Sequence, residues 1–471
     1  GYIRYRYQSA QNCRSSLGEL WMISIILGLI GLSIVVIFHE FGHFVFARLS
    51  GVEVEAFSVG WGPSIISHKG KKTVWKLCAF PIGGYCKLKG EEGFQAAVDQ
   101  NLQYIPSEKG SFFSATPLKR IFIASAGPLF SVLFAAFIFI LVASIGTTIV
   151  TAPNRIILSS EIGSTLQSGM PNPADIAGLK TGDKIISIDG KTIRDYSDLQ
   201  EIIASNPGKT MSIEVLRNDK KHSLVITPLL DPNSGIGVIG VYAWIDPIIE
   251  SVQEKSPAAI ADLRPGDIIM EADGRPISNT VDLMQVFNNT NGSVSLRVKR
   301  GDQTLSMIIV AKSLEEAGIR FEGILRTEKA KSLPEAISMG VEETFSTISL
   351  EIKSIGMLFR GVNVFKAISG PARLTYLIGT AASEQIKAEG LAGLVPILDF
   401  LAFISIALAI MNLLPIPALD GGRVLIYLIE LIRRRPINAK SLYRFQFIGV
   451  ASILLLFLVA TMSDIFFFLG K

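Results

Sequence analysis

Charge is scarce in this chain. Only 18% of its 471 residues are Asp, Glu, Lys or Arg, while 49% are hydrophobic. Mean hydropathy is +0.42. Soluble domains carry about a quarter charged residues, so this balance excludes an average soluble protein and points to a multi-pass membrane protein. Cysteine is scarcer still. Cys13, Cys78 and Cys86 show no CxxC spacing, which excludes a disulfide framework and leaves unpaired small apolar side chains. No GxxxxGK[ST] loop occurs, and Gly60-Trp61-Gly62 lacks a third glycine, so no nucleotide site is indicated. Net charge is only +4, with no dense Lys/Arg patch interleaved with aromatics, which argues against a nucleic-acid partner. Histidine is rare as well, with four in all.

Four uncharged stretches can cross a bilayer, each near the ~20 residues a spanning helix needs. They are Trp21–Phe38, continuing to Ala47; a run within 121–154; Phe400–Leu419; and Phe445–Ser463. The Lys and Arg residues of 48–120 and of the loop after the third segment place both on the cytoplasmic side. Residues 155–395 and the C-terminus then fall on the opposite face. Arg4, Arg6 and Arg14 run against this orientation. Residues 1–20 are read as an N-terminal extension, of expression-vector or natural origin, outside the fold. A cleaved signal peptide is not expected, because no small-residue cleavage site follows the first apolar run.

The long segment between the second and third spans repeats itself. NPADIAGLKTGDKIISIDGKTIRDYSDL (172–199) aligns without gaps to SPAAIADLRPGDIIMEADGRPISNTVDL (256–283), at an offset of 256 − 172 = 84. Each copy has a Pro-Ala helix start, a Gly-Asp turn, an alternating strand and an Asp-Gly turn where positive φ is cheap. The expected domains are 155–231 and 236–318, with DPNSG (231–235) as linker. Both copies resemble PDZ domains through their L-x-x-GD-x-I core. The resemblance implies either strand-addition peptide capture or a purely steric role.

Two connecting regions complete the outline. VWKLCAFPIGGYCKL (74–88) reads as two β-prone runs, 74–80 and 85–88, around a Pro-Ile-Gly-Gly turn. Its apolar content and its place between two spans suggest a membrane-reentrant hairpin. SLPE (332–335) is a helix-start pattern. Ile337, Val341, Phe345, Ile348, Ile352, Ile355 and Phe359 follow at helical spacing. This predicts an amphipathic helical linker over 332–395, lying at the outer membrane surface.

The chemistry concentrates in HEFGH (39–43). His39 and His43 at i and i+4 share a helical face and can bind one tetrahedral Zn²⁺. Glu40, beside the first ligand, is placed to take a proton from water. Ionisable groups at the end of a spanning helix cost about 2.5 kcal/mol or more each, so a functional reason is the default. A catalytic site needs a third ligand. HExxHxxGxxH fails, because Phe46 and Leu49 occupy the later positions. Glu53 and Glu55 follow Ser50-Gly51, which turns the chain away. Asp420, in MNLLPIPALDGGR (411–423), is the distant candidate. On its own residues it reads first as a boundary turn, since Asp-Gly-Gly is ordinary turn chemistry. His68, in HKGKK, reads as a solvated loop residue, and His222 falls in the repeats.

HEFGH, the AGP (126–128) opening helix two, the tandem repeat and NLLPIPALDGG together resemble the site-2 protease family of intramembrane zinc metalloproteases. The likeness is greatest to its bacterial RseP-like branch, which regulates the sigma-E stress response, and covers Trp21 to Lys471. It implies a four-helix membrane protein with a reentrant β-hairpin and two inserted α+β PDZ domains. It makes Asp420 the third zinc ligand, Glu40 the general base and Asn412 a substrate contact. Gly83, Gly84 and Tyr85 match the family's membrane-reentrant element. Ser131 departs from the family, whose close members carry Asn there, and this leaves helix two's part in substrate contact open. The implied substrates are pre-trimmed single-span membrane proteins, such as anti-sigma factors, and remnant signal peptides. The PDZ pair acts as a size filter or a peptide binder. The implied place is the bacterial inner membrane, with the PDZ pair periplasmic and the zinc near the cytoplasmic side. The other reading is a membrane-anchored PDZ scaffold or chaperone with a non-catalytic metal.

Overall fold

The computed structural model describes residues 17–358 and 394–468, with Gly370 and Arg373, apart from 101, 103–104, 106–107, 164–165, 167–170 and 232–234. The proposed N-terminal extension lies outside the described residues as far as residue 16. Residues 17–20 already belong to the first helix. Thr148–Thr327 make one compact unit, and the segments flanking them make the other.

In the flanking unit, α1 spans Leu17–Leu49 and α2 spans Pro117–Ile145. The start of α2 is set locally. Thr116 accepts a hydrogen bond from the Lys119 amide, and Pro117 occupies the first turn, where its missing N–H costs nothing. AGP therefore does not open this helix but lies more than two turns inside it, with Pro128 in the interior. Four described helices are long and apolar enough to cross a membrane: Gly28–Leu49, Pro117–Ile145, Val395–Leu413 and Ala439–Phe467. The third, α4, ends at Leu413 because Pro415 disfavours helical backbone at the residue before it. An irregular stretch of residues 414–419, with Ala418 at φ 75°, leads into α5 (Asp420–Arg433). The expected loop after the third span is thus largely helical. The fourth, α6, spans Ala439–Phe468. Val35 of α1, Ala135, Ile138 and Phe139 of α2, and Leu401, Ala402 and Ile406 of α4 form one buried cluster.

The region between α1 and α2 is a hairpin, but not the expected one. Strand β1 (Val54–Lys69) pairs antiparallel with β2 (Val74–Leu88), and the turn lies at 70–73. Pro-Ile-Gly-Gly runs inside β2. A proline is tolerated there because each strand of a two-stranded sheet has a free edge needing no N–H. The far half of the hairpin exposes Trp61, Ile65, Ile66 and Phe80.

The amphipathic segment forms α3 (Leu333–Leu358). It packs along α2. Ala330 donates its amide to the Ala143 carbonyl, and Gly340 touches the Ile140 backbone. Ala336, Thr344, Thr347 and Glu351 are buried. The rest of the expected linker, to residue 393, lies outside the described residues except for Gly370 and Arg373.

In the other unit, each repeat copy builds a four-stranded sheet covered by a nine-residue helix, Tyr196–Ala204 in the first and Thr280–Asn288 in the second. The Gly-Asp turns explain themselves. Asp183 accepts from the Lys180 amide and holds Arg217 at 2.7 Å. Asp267 accepts from the Arg264 amide and holds Arg300 at 2.7 Å. The expected boundaries need correction. Gly237–Val238 pairs with Leu229–Leu230, Val241–Ala243 pairs with Ile156–Leu158, and Ile239 sits in the first copy's core. Residues 236–243 therefore finish the first copy, and 231–235 join two of its strands. Likewise Ile319–Phe321 pairs with Ile249–Val252, which carries the second copy past 318. Each returning strand satisfies an edge that would otherwise stay bare. Strand β3 (Thr147–Thr151), before the first copy, pairs with β4 (Ile324–Glu328), after the second. The hydroxyls of Thr148 and Thr327 lie 3.1 Å apart across them.

Candidate metal centre

Three ligand-type side chains converge where α1, α2 and α5 meet. Their ligand atoms, from His39, His43 and Asp420, lie within 4.8 Å of one another, and all three residues are buried. Asp420 Oδ2 is 3.1 Å from His39 Nε2 and 3.2 Å from His43 Nε2. The carboxylate reaches this point across 381 residues of sequence because it opens α5, immediately after the irregular stretch. Arg423, one turn on, brings Nη1 within 4.0 Å of Asp420 Oδ1.

The helices approach closely enough because of two glycines. A Cβ at Gly42 would stand 2.3 Å from the Ala126 carbonyl oxygen, so α1 and α2 touch backbone to backbone there. A Cβ at Gly127 would stand 2.3 Å from His43 Nε2 and 2.7 Å from His39 Nε2. Gly127 thus leaves a space on the side of the imidazoles that faces Asp420.

The far side of each ring is held. His43 Nδ1 lies 2.8 Å from the Ile123 carbonyl oxygen. A carbonyl only accepts, so Nδ1 carries the proton and the Nε2 lone pair faces the cluster. His39 Nδ1 lies 3.0 Å from Ser131 Oγ, and the fully buried Ser131 in turn receives the Ser405 hydroxyl on its carbonyl at 2.8 Å. Two imidazole nitrogens and one carboxylate oxygen, fixed from behind, match the donor set of a three-ligand zinc site. The cavity that Gly127 keeps clear of side-chain atoms fits an ion as well.

Glu40 sits one residue after His39 and is half-buried. Its Oε2 accepts the Cys86 amide of β2 at 3.0 Å. This contact ties the hairpin to the site at the residue after Tyr85. Gly83, Gly84 and Tyr85 line β2 beside it. A Cβ at Gly83 would lie 3.6 Å from Val36 of α1, and Tyr85 packs on Trp61. Asn412 is half-buried in the last turn of α4.

The other acids and histidines are accounted for elsewhere. Glu53 pairs with Lys89 and Glu55 with Lys87. His68 ends β1 opposite Trp75 instead of lying in a loop, and His222 is in the strand Lys220–Ile226. Sequence reasoning missed Ile123, Gly127 and the Cys86 amide, and left Ser131 without a role. A signal existed for α2: Ile123, Gly127 and Ser131 follow one another at four-residue spacing, along one helical face.

The model of peptidase family M50 matches residues 27–456. A Treponema pallidum protein, named "Putative zinc metalloprotease", is 38% identical over 95% of this chain and 99% of its own length. A Borreliella burgdorferi protein of the same name is 30% identical, over 94% of this chain and 98% of its own. The regulator of sigma-E protease RseP of Escherichia coli is also 30% identical, over 95% of this chain and 99% of its own.

Proposed function

Since the chain belongs to peptidase family M50, the site-2 protease family, we propose that it is an intramembrane zinc metalloendopeptidase acting on membrane-spanning segments. One observation carries the reading. His39, His43 and Asp420 bring three ligand atoms within 4.8 Å, with Glu40 beside them. These three residues hold the zinc. When bound, zinc supplies Lewis acidity that stabilises negative charge developing on oxygen.

The chain's own residues do the rest. Ile123 and Ser131 fix the two imidazoles by their Nδ1 atoms. Glu40 accepts the proton of the attacking water and returns it to the leaving amine. The Cys86 amide holds the Glu40 carboxylate in place. A helical substrate hides its scissile carbonyl in an i to i−4 bond and must unwind locally. Gly83, Gly84 and Tyr85 on β2 offer that unwound segment a strand edge, and Asn412 offers it a side-chain amide. The exposed apolar end of the hairpin suits lipid contact.

The repeat-bearing unit, read as two PDZ domains, serves as a filter that favours substrates already trimmed of bulky outer parts. Anti-sigma-factor-like proteins and signal-peptide remnants fit that description. The basic residues of 48–120 put the metal end of α1 toward the cytoplasm and the repeats across the inner membrane from it.

The test is Glu40→Gln in membranes with a single-span reporter. Cleavage should fall about 10²–10⁴-fold, while zinc content stays that of the wild type. Persisting cleavage with zinc bound would remove Glu40 as base and with it the enzyme mechanism.

A further inference from the structure

The helix that delivers Asp420 is gripped at its other end. Arg120, in the first turn of α2, makes a two-pronged ion pair with Glu430 of α5, at 2.7 and 3.1 Å. Both side chains are only 8% exposed. Arg120 Nε donates to the Ala115 carbonyl at 3.1 Å, and its guanidinium lies 4.9 Å from the centre of the Tyr427 ring. Tyr427 is itself buried, packed edge-on against Phe112.

The placement along the two helices is what matters. On α2, Arg120, Ile123, Gly127 and Ser131 follow at spacings of three, four and four, so they share one face. The latter three touch or bound the histidines. On α5, Asp420 and Tyr427 are seven apart and also share a face, and Glu430 lies one turn beyond Tyr427. The face that builds the metal site and the face that holds the ion pair are the same on each helix.

Resting on the metalloprotease reading above, we propose that Arg120 and Glu430 are positioning residues, a register clamp that sets where Asp420 meets the histidines. A slip of α5 by one residue moves Asp420 about 1.5 Å along the axis and turns it by about 100°. Metal ligation tolerates about 0.2 Å. Residues 414–419 are irregular, so α5 does not inherit its register from α4 as one continuous helix. Gly421 and Gly422 seat its first turn against the carbonyls of Leu413, Leu414 and Ile416, and the ion pair fixes its far end. A planar guanidinium with two oxygens and one ring to satisfy fixes both translation and rotation.

The test uses the full chain in detergent micelles, with zinc affinity measured against a competing chelator and melting followed in parallel. Arg120→Met with Glu430→Met replaces the whole pair by apolar side chains. This should leave melting close to that of the wild type, because an apolar pair often substitutes for a buried ion pair at little cost. Zinc should bind about 10–100-fold more weakly. Arg120→Lys keeps the charge but loses the fork, and should weaken zinc less. Arg217→Met, in the first repeat copy, should lower stability yet leave zinc affinity unchanged. Wild-type zinc affinity in the folded double variant overturns the clamp. If that variant does not fold, wild-type affinity in Arg120→Lys overturns it equally. If the wild-type chain itself binds no zinc, it is the metalloprotease reading that falls.

Discussion

Gly127→Ala is the smallest change that addresses the metal centre directly. The backbone at Gly127 lies within α2 and outside the left-handed region, so alanine costs nothing in conformation and gains about 0.8–1 kcal/mol of helix propensity. The added methyl carbon meets His43 Nε2 at 2.3 Å, where 3.4 Å is ordinary contact, so something must yield by 3.4 − 2.3 = 1.1 Å. The imidazole can retreat only by breaking its 2.8 Å bond to the Ile123 carbonyl. The helices can separate only by opening the Gly42–Ala126 contact. Overpacking of this kind costs about 1–3 kcal/mol, so the net change in stability after the propensity gain is about 0–2 kcal/mol. The displacement is several times the ~0.2 Å that ligation tolerates. Zinc affinity should therefore fall at least about 100-fold, and reporter cleavage with it, while melting moves by only a few degrees. Chelator competition on the purified variant reads the affinity, and metal analysis reads the stoichiometry. A Gly127→Ala protein that holds one zinc as tightly as the wild type would falsify the placement of the ion between these residues.

Three further outcomes are expected. Ser131→Ala leaves His39 Nδ1 without its hydroxyl partner, so zinc should bind about 10-fold more weakly; unchanged affinity would mean that the Ser131 contact does not orient the ring. Glu351 is buried with no partner for Oε1 among the described residues, and desolvation raises its pKa to about 7 from 4.5. Its protonated form suits the fold, so its contribution is full below about 4.5 and is lost as pH rises through about 7. Melting of the wild type should drop between about pH 4.5 and 7 and level off above, and Glu351→Gln should flatten that drop. Asp183→Ala removes a buried carboxylate that accepts from Arg217 and from the Lys180 amide, which should cost the first repeat copy about 1.5–3 kcal/mol, and Asp267→Ala should do the same to the second. Proteolysis confined to the altered copy would show the loss, and equal resistance of both copies would refute it.

The spans were legible because uninterrupted apolar length is the strongest signal a sequence carries. HEFGH was legible because its ligands lie one helical turn apart. Asp420 was not readable from its neighbours, since Asp-Gly-Gly is also common turn chemistry; resemblance singled it out, and the fold then placed it beside both histidines. The hairpin shows a different failure. Pro-Ile-Gly-Gly carries turn residues, but pairing along β1 prevailed, and the polar Gly-Lys-Lys stretch (70–72) made the turn instead. Domain edges were misjudged because each copy closes with short strand pairs whose later strand comes after the motif that announces the copy. Arg120 and Glu430 left a trace: Glu430 is the lone acid between Asp420 and Asp464, in a stretch otherwise rich in arginine. Nothing in the one-dimensional pattern pairs it with a residue 310 positions away.

The pairing of β3 with β4 bears on how such a chain can be taken apart. Adjacent strands lie about 4.8 Å apart, so the points at which the chain enters and leaves the repeats sit side by side. A two-residue turn could join them in place of everything between. The repeats are thus a cassette on a zipped stem, removable or exchangeable without asking the helices to reach across a gap.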